Sequence, residues 1–216
     1  MYLWQSRLLN LIFPPRCPFC RDVIAETQIL CTGCAKKFLP HEQIFRLQGE
    51  TPFADIVCIS LFPYRAEVRD AILAFKFQGF RSAARGFGML MANAVQINGD
   101  GETVVTFVPM DRSRQQERGY NQAQLLAREV AAQLVLPCQG LLRKTRATAQ
   151  QHTLSREERK KNARDAFAAE KNTHGKHVIL CDDIITTGET LRECVRVLIK
   201  EGAKSVVCVT IAHAGS

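Results

Sequence analysis

Two adjacent carboxylates and a Thr-Thr-Gly turn are the residues of this chain whose types and spacing best suit chemistry. They lie in the block Val178-Ile-Leu-Cys-Asp-Asp-Ile-Ile-Thr-Thr-Gly-Glu-Thr-Leu191. A turn that opens a helix leaves backbone N–H groups without helical partners at the positive end of the helix dipole, which favours a phosphate. Carboxylates beside a phosphate suit sugar hydroxyls or a divalent cation carried by the ligand. The block therefore predicts a site for a phosphorylated sugar.

The segments around these residues have the character of elements that position a ligand in an open α/β sheet. The run before the carboxylates is short, apolar and β-branched, which predicts a buried parallel strand over Lys176–Asp182. The carboxyl end of this strand brings Asp182 and Asp183 to the edge where such sheets bind ligands. The residues after the turn predict a helix over Thr187–Glu201. The turn has no lysine, so it is not a Walker-type phosphate loop.

The same block resembles the phosphoribosyl pyrophosphate (PRPP) motif of type I phosphoribosyltransferases: four apolar residues, two acids, two variable residues, then Thr-Thr-Gly-x-Thr-Leu. The resemblance implies that Asp182 and Asp183 contact the 2- and 3-hydroxyls of ribose. It also implies that the turn binds the 5-phosphate, through Thr186, Thr187, Gly188, Glu189 and Thr190. Magnesium is expected to accompany the PRPP and to be held chiefly by the ligand. The sequence identifies no catalytic residue and leaves open whether the site catalyses a reaction or only binds its ligand.

A group of arginines lies between a predicted strand, Thr103–Pro109, and a predicted helix, Tyr120–Leu134. Arginine binds phosphate oxygens through paired hydrogen bonds, so a loop with these side chains is expected to hold a pyrophosphate. The residues in question are Arg112, Arg114 and Arg118. Lys76, near the end of a predicted helix over Tyr64–Phe77, is a further candidate for the same role. An alternative for Lys76 is a cation that only neutralises its helix dipole.

The stretch Leu141–Arg164 carries eight basic and two acidic residues, a net charge of +6 within a chain whose formal charge is +8. A lid over pyrophosphate and a surface for nucleic acid both require cations, so charge alone does not separate them from each other or from a solvated face. No aromatic residue is interleaved in this stretch, which counts against a stacking groove for single-stranded DNA. The candidates for lid or DNA contacts are Arg143, Lys144, Arg146 and Arg159.

Four of the nine cysteines form two Cys-x-x-Cys pairs separated by ten residues, namely Cys17, Cys20, Cys31 and Cys34. Two such pairs can close a tetrahedral zinc site that leaves no open position for catalysis, so a structural role is expected. The other five cysteines lie mostly in apolar surroundings and are expected to be buried and reduced. Zinc thiolates and free thiols together indicate a reducing compartment, the cytoplasm.

The chain has 216 residues, of which 46% are apolar and 23% charged, an ordinary globular composition. No apolar run approaches the roughly 18–20 residues that span a membrane. The stretch Met1–Phe13 is expected to be a short amphipathic helix rather than a signal peptide. Residues 1–45 are expected to hold this helix and the zinc segment, residues 41–52 to form a linker, and residues 53–216 to form a phosphoribosyltransferase-like domain.

Strands and helices alternate along the larger segment, with further strands predicted at Asp55–Leu61 and Ser205–Ile211 and a helix at Ser82–Val95. This alternation predicts an α/β fold with a parallel sheet and helices on both faces. The PRPP motif makes the expected architecture that of a type I phosphoribosyltransferase, with a small N-terminal zinc knuckle appended to it.

The cysteine tetrad, the segment Arg118-Gly-Tyr-Asn121 and the PRPP motif, in this order, resemble the ComF family of bacterial competence proteins over nearly the whole chain. The resemblance implies a part in natural transformation, in which the protein handles incoming single-stranded DNA together with DNA-processing proteins. The alternative is an active transferase that moves ribose 5-phosphate from PRPP to a nitrogen nucleophile. That nucleophile could be a nucleobase, an amine or ammonia, since no aromatic clamp in the sequence marks its pocket.

Overall fold

The computed structural model describes residues 14–40, 42–47, 56–96, 102–145, 165–171 and 173–214. The expected helix Met1–Phe13 lies outside the described residues, as do Arg146 and Arg159 of the basic stretch. Within the described ranges, no helix is long and apolar enough to cross a membrane.

A five-stranded, mostly parallel sheet forms the centre of the fold. The strands are, in chain order, β1 (Gln43–Leu47), β2 (Ile56–Pro63), β3 (Thr103–Phe107), β4 (Leu142–Lys144), β5 (Phe167–Ala169), β6 (His177–Ile185) and β7 (Ser205–His213). The large sheet has the order β1-β2-β7-β6-β3, in which β1 is antiparallel to β2 and the other neighbours are parallel. Strands β4 and β5 form a separate antiparallel pair.

Helices cover both faces of this sheet. They are α1 (Thr32–Lys37), α2 (Ala66–Phe77), α3 (Ala83–Ala94), α4 (Arg112–Arg118), α5 (Gln122–Leu134) and α6 (Glu189–Lys200). Alternate residues of β6 serve the two faces: Ile179 and Cys181 pack with α2, α3 and α5, whereas Val178 and Leu180 pack with α6. A central strand buried on both sides explains why β6 reads as a continuous apolar run.

Two expectations about local structure are wrong. Residues 43–47, expected within a linker, form β1, which lies at the edge of the sheet beyond β2. The arginines expected on a loop lie on helix α4, whose N-terminus is capped by Asp111 through Ser113 N at 3.2 Å. Helix α4 has no buried residue, so it shows none of the apolar periodicity by which a helix is recognised in sequence.

The cysteine-rich segment packs against the first helical layer. The Phe19 ring stacks on Phe38, with centroids 4.0 Å apart, and meets Phe62 and Phe87 edge-on at 5.5 Å. Nearby, Arg85 of α3 donates to the carbonyl of Gln28 at 3.0 Å. The segment is therefore joined to the sheet and to α3 by aromatic packing as well as by hydrogen bonds.

Helices α3 and α5 approach each other at Gly88, and we predict that Gly88→Ala destabilises the fold. An added methyl group would overlap Cβ of Glu129, an atom held by the backbone of α5. Such overpacking costs about 1–3 kcal/mol of unfolding free energy, which chemical denaturation measures. The matched control is Gly33→Ala in α1, where a methyl group meets no atom within 4 Å. A Gly88→Ala protein as stable as the control would contradict the close packing.

Candidate functional site

A pocket opens where strand β3 ends and its neighbour β6 continues. The last residue of β3, Phe107, pairs with Cys181, so Asp182 and Asp183 lie beyond the end of β3 while still on β6. The pocket has a volume of about 430 Å³. Its walls come from the end of α2, the segment Val108–Asp111, helix α4, the start of α5, the strand pair β4–β5 and the block Asp182–Leu191. Ligands of open α/β sheets bind at this edge.

The two carboxylates have different environments. Asp183 is largely buried, with its Oδ1 2.9 Å from Nζ of Lys76 on α2. Asp182 accepts a hydrogen bond from the backbone N–H of Asp183 at 2.8 Å. Burial, followed by the neighbouring charge of Asp183, raises the pKa of Asp182 to about 7. The pair therefore combines a carboxylate neutralised by a cation with one that exchanges a proton near neutral pH.

The turn after β6 has the geometry of an anion site. Gly188 has a φ of 76°, in the left-handed region that glycine favours, and precedes α6 without a side-chain hydrogen bond that caps the helix. Glycine at this position has no side chain that could cap the first turn of α6, where the helix dipole is positive. Glu189 would repel an anion, but its Oε1 lies 2.6 Å from Nη1 of Arg192, which offsets that charge. Thr186, Thr187 and Thr190 line the same pocket.

The predicted cationic residues divide into two groups. Those that line the pocket are Lys76, Arg114, Arg118 and Lys144, which reach it from three separate segments of the chain. Arg112 and Arg143 are exposed and do not line it. Arg143 differs from Lys144 because successive side chains of a strand point to opposite faces. The structure thus brings four of the six described candidates to the carboxylates and the turn.

Lys144 and Arg118 are held by the walls of the pocket. Burial, then the nearby charge of Arg114, lowers the pKa of Lys144, and Asp111 acts in the opposite direction. The guanidinium carbon of Arg118 lies 4.5 Å from the centroid of the Phe77 ring. Lys144 therefore loses its proton more readily than an exposed lysine, and an anion bound nearby would raise its pKa again.

The segment Arg118–Asn121, which carries part of the family resemblance, joins α4 to α5 and fixes one wall of the pocket. Gly119 has a φ of 76°, which ends α4. The Tyr120 hydroxyl donates to the carbonyl of Phe75, and Asn121 donates to the carbonyl of Val108 at 3.1 Å while its side-chain oxygen accepts from Gln124 N. These residues position the neighbouring arginines.

Several pocket residues were not recognised from the sequence. Gln122 is buried, accepts from Arg118 Nη1 at 3.3 Å and donates to the carbonyl of Lys76 at 3.3 Å, which ties α5 to α2. Three aromatic side chains that no sequence pattern indicated also line the pocket: Tyr64, Phe77 and Phe167. One signal in the sequence could have indicated Phe77. It is a large apolar residue at the end of α2 that does not belong to the buried face of that helix.

Cys181 adjoins the carboxylates but is unsuited to act as a nucleophile. Its side chain is fully buried, and burial raises the pKa of the thiol well above its usual value. The thiolate, which is the reactive form, is therefore disfavoured. All nine cysteines lie within the described residues, and none forms a disulfide.

The four-cysteine cluster fits a structural zinc ion. The four sulfur atoms lie within 4.8 Å of one another, and Sγ of Cys20 is 3.5 Å from Sγ of Cys31. Thiolates bound at 2.3 Å around a tetrahedral zinc are separated by about 3.8 Å, so little adjustment is required. The backbone N–H of Cys34 donates to Sγ of Cys31 at 3.4 Å, a contact that stabilises a metal-bound thiolate.

Comparison with known proteins matches both parts of the chain. The model of the phosphoribosyl transferase domain matches residues 89–216, and that of the double zinc ribbon domain matches residues 8–46. DNA utilization protein YhgH of Salmonella typhimurium is 30% identical over 192 residues, which are 88% of this chain and 80% of that protein. Competence protein F of Haemophilus influenzae is 37% identical over 111 residues, 50% of this chain and 48% of that protein.

A solved structure, the glutamine PRPP amidotransferase of B. subtilis, is similar over 60% of this chain and 26% of that chain, with 22% identity and a TM-score of 0.42. The sequence matches, rather than this limited structural similarity, identify the family.

Proposed function

We propose a function from the premise that this chain belongs to the phosphoribosyl transferase domain family and carries an N-terminal double zinc ribbon. Its pocket binds PRPP or a related phosphoribosyl ligand. The relatives are named for DNA utilization and competence, and we propose that this chain also serves DNA uptake, with single-stranded DNA and DNA-processing proteins as partners. Because its cysteines are free thiols or zinc ligands, we place this function in the cytoplasm.

The observation that carries the proposal is the convergence of three chemistries in one pocket. Two carboxylates, an anion-binding turn and four cations line the same 430 Å³ volume. The turn at Thr186–Thr190 suits the 5-phosphate, and Asp182 and Asp183 suit the ribose hydroxyls, as in the binding mode implied by the PRPP motif. Arg114, Lys144 and the neighbouring Lys76 and Arg118 supply positive charge for a pyrophosphate.

Magnesium would enter with the pyrophosphate. Lys76 pairs with Asp183 at 2.9 Å, so the two adjacent carboxylates offer a metal ion little charge beyond that of Asp182. Magnesium in proteins often keeps several waters and takes its remaining ligands from substrate phosphates, a habit that fits this arrangement. When bound, the ion would neutralise charge on the pyrophosphate.

Transfer of the phosphoribosyl group is a second candidate function, and the partly buried carboxylate pair favours it. Loss of pyrophosphate from ribose leaves positive charge on the sugar, which carboxylates stabilise, while the cations stabilise the departing pyrophosphate. Such a reaction requires positioning of the reactants rather than a protein nucleophile, which agrees with the unreactive thiol of Cys181.

The division into a zinc segment at 1–45 and a domain at 53–216 remains our proposal for the chain's organisation.

Calorimetric titration of PRPP with magnesium tests the binding proposal. We expect the wild type to bind and the double variant Asp182→Ala/Asp183→Ala to lose at least about 100-fold in affinity, because at least two charge-assisted hydrogen bonds are removed. Absence of binding to the wild type would refute the pocket assignment. Single-stranded DNA is titrated in parallel at two salt concentrations, since phosphate contacts weaken as salt rises. If the double variant binds single-stranded DNA as tightly as the wild type does, the DNA site lies outside the pocket.

A further inference from the structure

A row of arginines crosses the surface from the N-terminal zinc ribbon to the edge of the pocket. It begins on the ribbon with Arg16 and Arg21, which are both exposed. It continues with Arg81, an exposed residue between α2 and α3, and ends at the half-buried Arg118 of α4. We call these four residues the arginine row. Only its last member, Arg118, lines the pocket, so most of the row is a separate surface.

Hydrogen bonds between neighbouring segments make the row continuous. Nη1 of Arg16 donates to the carbonyl of Arg21 at 3.0 Å, and Nη2 of Arg21 donates to Oε1 of Gln78 at 2.5 Å. Gln78 and Arg81 belong to the same short connection between α2 and α3. Nη2 of Arg81 in turn donates to the carbonyl of Gly119 at 3.5 Å, directly after α4. The row therefore follows one path over three segments that are distant in the chain.

Aromatic rings lie beside three of these guanidinium groups. The distances from guanidinium carbon to ring centroid are 5.4 Å for Arg21 and Phe80, 4.6 Å for Arg81 and Tyr120, and 4.5 Å for Arg118 and Phe77. Tyr120 is buried whereas Arg81 is exposed, so the guanidinium of Arg81 lies between that ring and solvent. Phe80 is only half-buried. Contacts of this kind hold the planar groups in place, and both rings and guanidinium planes can stack with the bases of nucleic acid.

The charge of the arginine row is available to a partner. Within the described ranges, no carboxylate forms a salt bridge with any of its four members, whereas Lys37 on the same ribbon pairs with Glu67 at 2.5 Å. Cations that are not neutralised attract a polyanion. The stretch Leu141–Arg164, a candidate DNA surface by charge alone, has no interleaved aromatic residue. The arginine row combines cations with aromatic rings, which is the combination that single-strand binding surfaces use.

We propose that the arginine row binds the phosphate backbone of single-stranded DNA, with bases stacked on Phe80 and on the guanidinium of Arg81. The inference rests on the proposed function in DNA uptake and names the surface that holds the strand. An acidic peptide would use the cations but has no bases to stack on the planar groups. In a DNA duplex the bases are already stacked on each other inside the helix. The two features on one path therefore favour a single strand.

Fluorescence anisotropy of a labelled oligothymidylate of about 16 nucleotides measures DNA binding by the full chain. The test variant is Arg21→Gln/Arg81→Gln. The matched control is Arg112→Gln/Arg143→Gln, which removes the same charge from exposed residues outside the row. We expect the test variant to lose about tenfold in affinity, and the slope of log K against log salt to fall by about 1.4, because each phosphate contact on a single strand contributes about 0.7. The control is expected to lose less than about threefold.

Two further measurements separate the row from the fold and from charge alone. PRPP is expected to bind the test variant as it binds the wild type, because neither Arg21 nor Arg81 lines the pocket. Phe80→Leu keeps apolar volume but has no ring. This variant is expected to lose at least about fivefold in affinity for the oligonucleotide while its salt slope stays unchanged, because stacking involves no phosphate contact.

Equal losses of DNA affinity in the test variant and the control would overturn the arginine row, since attraction by overall charge would then explain the binding. Polyglutamate that binds as tightly as the oligonucleotide, for the same total charge, would assign the row to an acidic protein instead. A loss confined to Asp182→Ala/Asp183→Ala would place the strand in the pocket and overturn the row alone. A wild type that binds PRPP but no single-stranded DNA would overturn the row together with the proposed DNA partner.

Discussion

Replacing Asp182 with Asn is expected to make the protein more stable and, at the same time, a weaker binder of PRPP. The raised pKa of Asp182, about 7, means that the folded protein holds a proton that the unfolded chain releases near pH 4. Between these values the folded state binds more protons, so this group lowers stability as pH rises from about 4 to about 7. Asn keeps the acceptor for the Asp183 N–H and carries no charge.

The expected gain depends on pH in a defined direction. At pH 5 Asp182 is protonated in the folded protein and ionised only in the unfolded chain, so Asp182→Asn is expected to exceed the wild type by a smaller margin than at pH 8. At pH 8 the variant is expected to exceed the wild type by about 1–3 kcal/mol, a range that allows for partial exposure of the side chain to the pocket. Chemical denaturation at both pH values measures this difference. Asp70→Asn, an exposed acid on α2, serves as control and is expected to show no such change.

Binding of PRPP to the Asp182→Asn variant is expected to fall at least about tenfold at pH 8, because a charged acceptor for a ribose hydroxyl is replaced by a neutral amide. A variant that gains no stability at pH 8 would contradict the raised pKa. A variant that gains stability and binds PRPP normally would contradict the assigned contact. The opposite signs of the two effects reflect a site in which charge is retained for function at a cost in stability.

Loss of the zinc ion is expected to destabilise the whole chain and not only the ribbon. Apparent binding free energies of structural zinc are about 10–16 kcal/mol in small zinc fingers, and folding of this segment depends on them. The ribbon carries Phe19, whose ring contacts Phe62 of β2 and Phe87 of α3. Release of the ribbon would expose both contacts, an effect comparable to a buried Phe→Ala change, about 3–5 kcal/mol.

Three variants separate the metal from the packing. Cys34→Ser is expected to lose zinc and stability, and Phe19→Ala is expected to lose stability while retaining zinc. Cys138→Ser, which lies outside the cluster, is expected to retain zinc. Metal analysis and thermal unfolding measure both quantities. A wild type without zinc would contradict the assignment, and a Cys34→Ser protein that unfolds like the wild type would contradict the dependence of the body on the ribbon.

The main elements of the sheet could be predicted from sequence because their signals are local. Strands β6 and β7 are continuous apolar runs, and α5 and α6 repeat apolar residues with helical spacing. The carboxylates were placed near the end of β6 because strand, acids and turn are contiguous. The strand continues to Ile185, so the acids lie within it, and it is the early end of β3 that opens the pocket.

The remaining features depend on contacts between distant segments. Strand β1 forms by pairing with β2 at the edge of the sheet, and no local pattern in Gln43–Leu47 indicates that partner. Lys76 was ambiguous because its neighbour Asp183 is more than a hundred residues away in the chain. The aromatic lining was missed for the same reason: Phe77 and Phe167 belong to different elements that meet only in the folded protein.

The central claim is that the turn after β6 and the preceding carboxylates bind the ribose 5-phosphate moiety. Its most direct test is an amide-resolved NMR titration of the full chain with ribose 5-phosphate. We predict that the largest changes occur at the backbone amides of Thr187–Thr190 and Asp183, and that they are saturable. Inorganic phosphate is expected to reproduce the changes in the turn but not that at Asp183. Saturable binding with changes confined to other parts of the chain, or no binding, would contradict the claim.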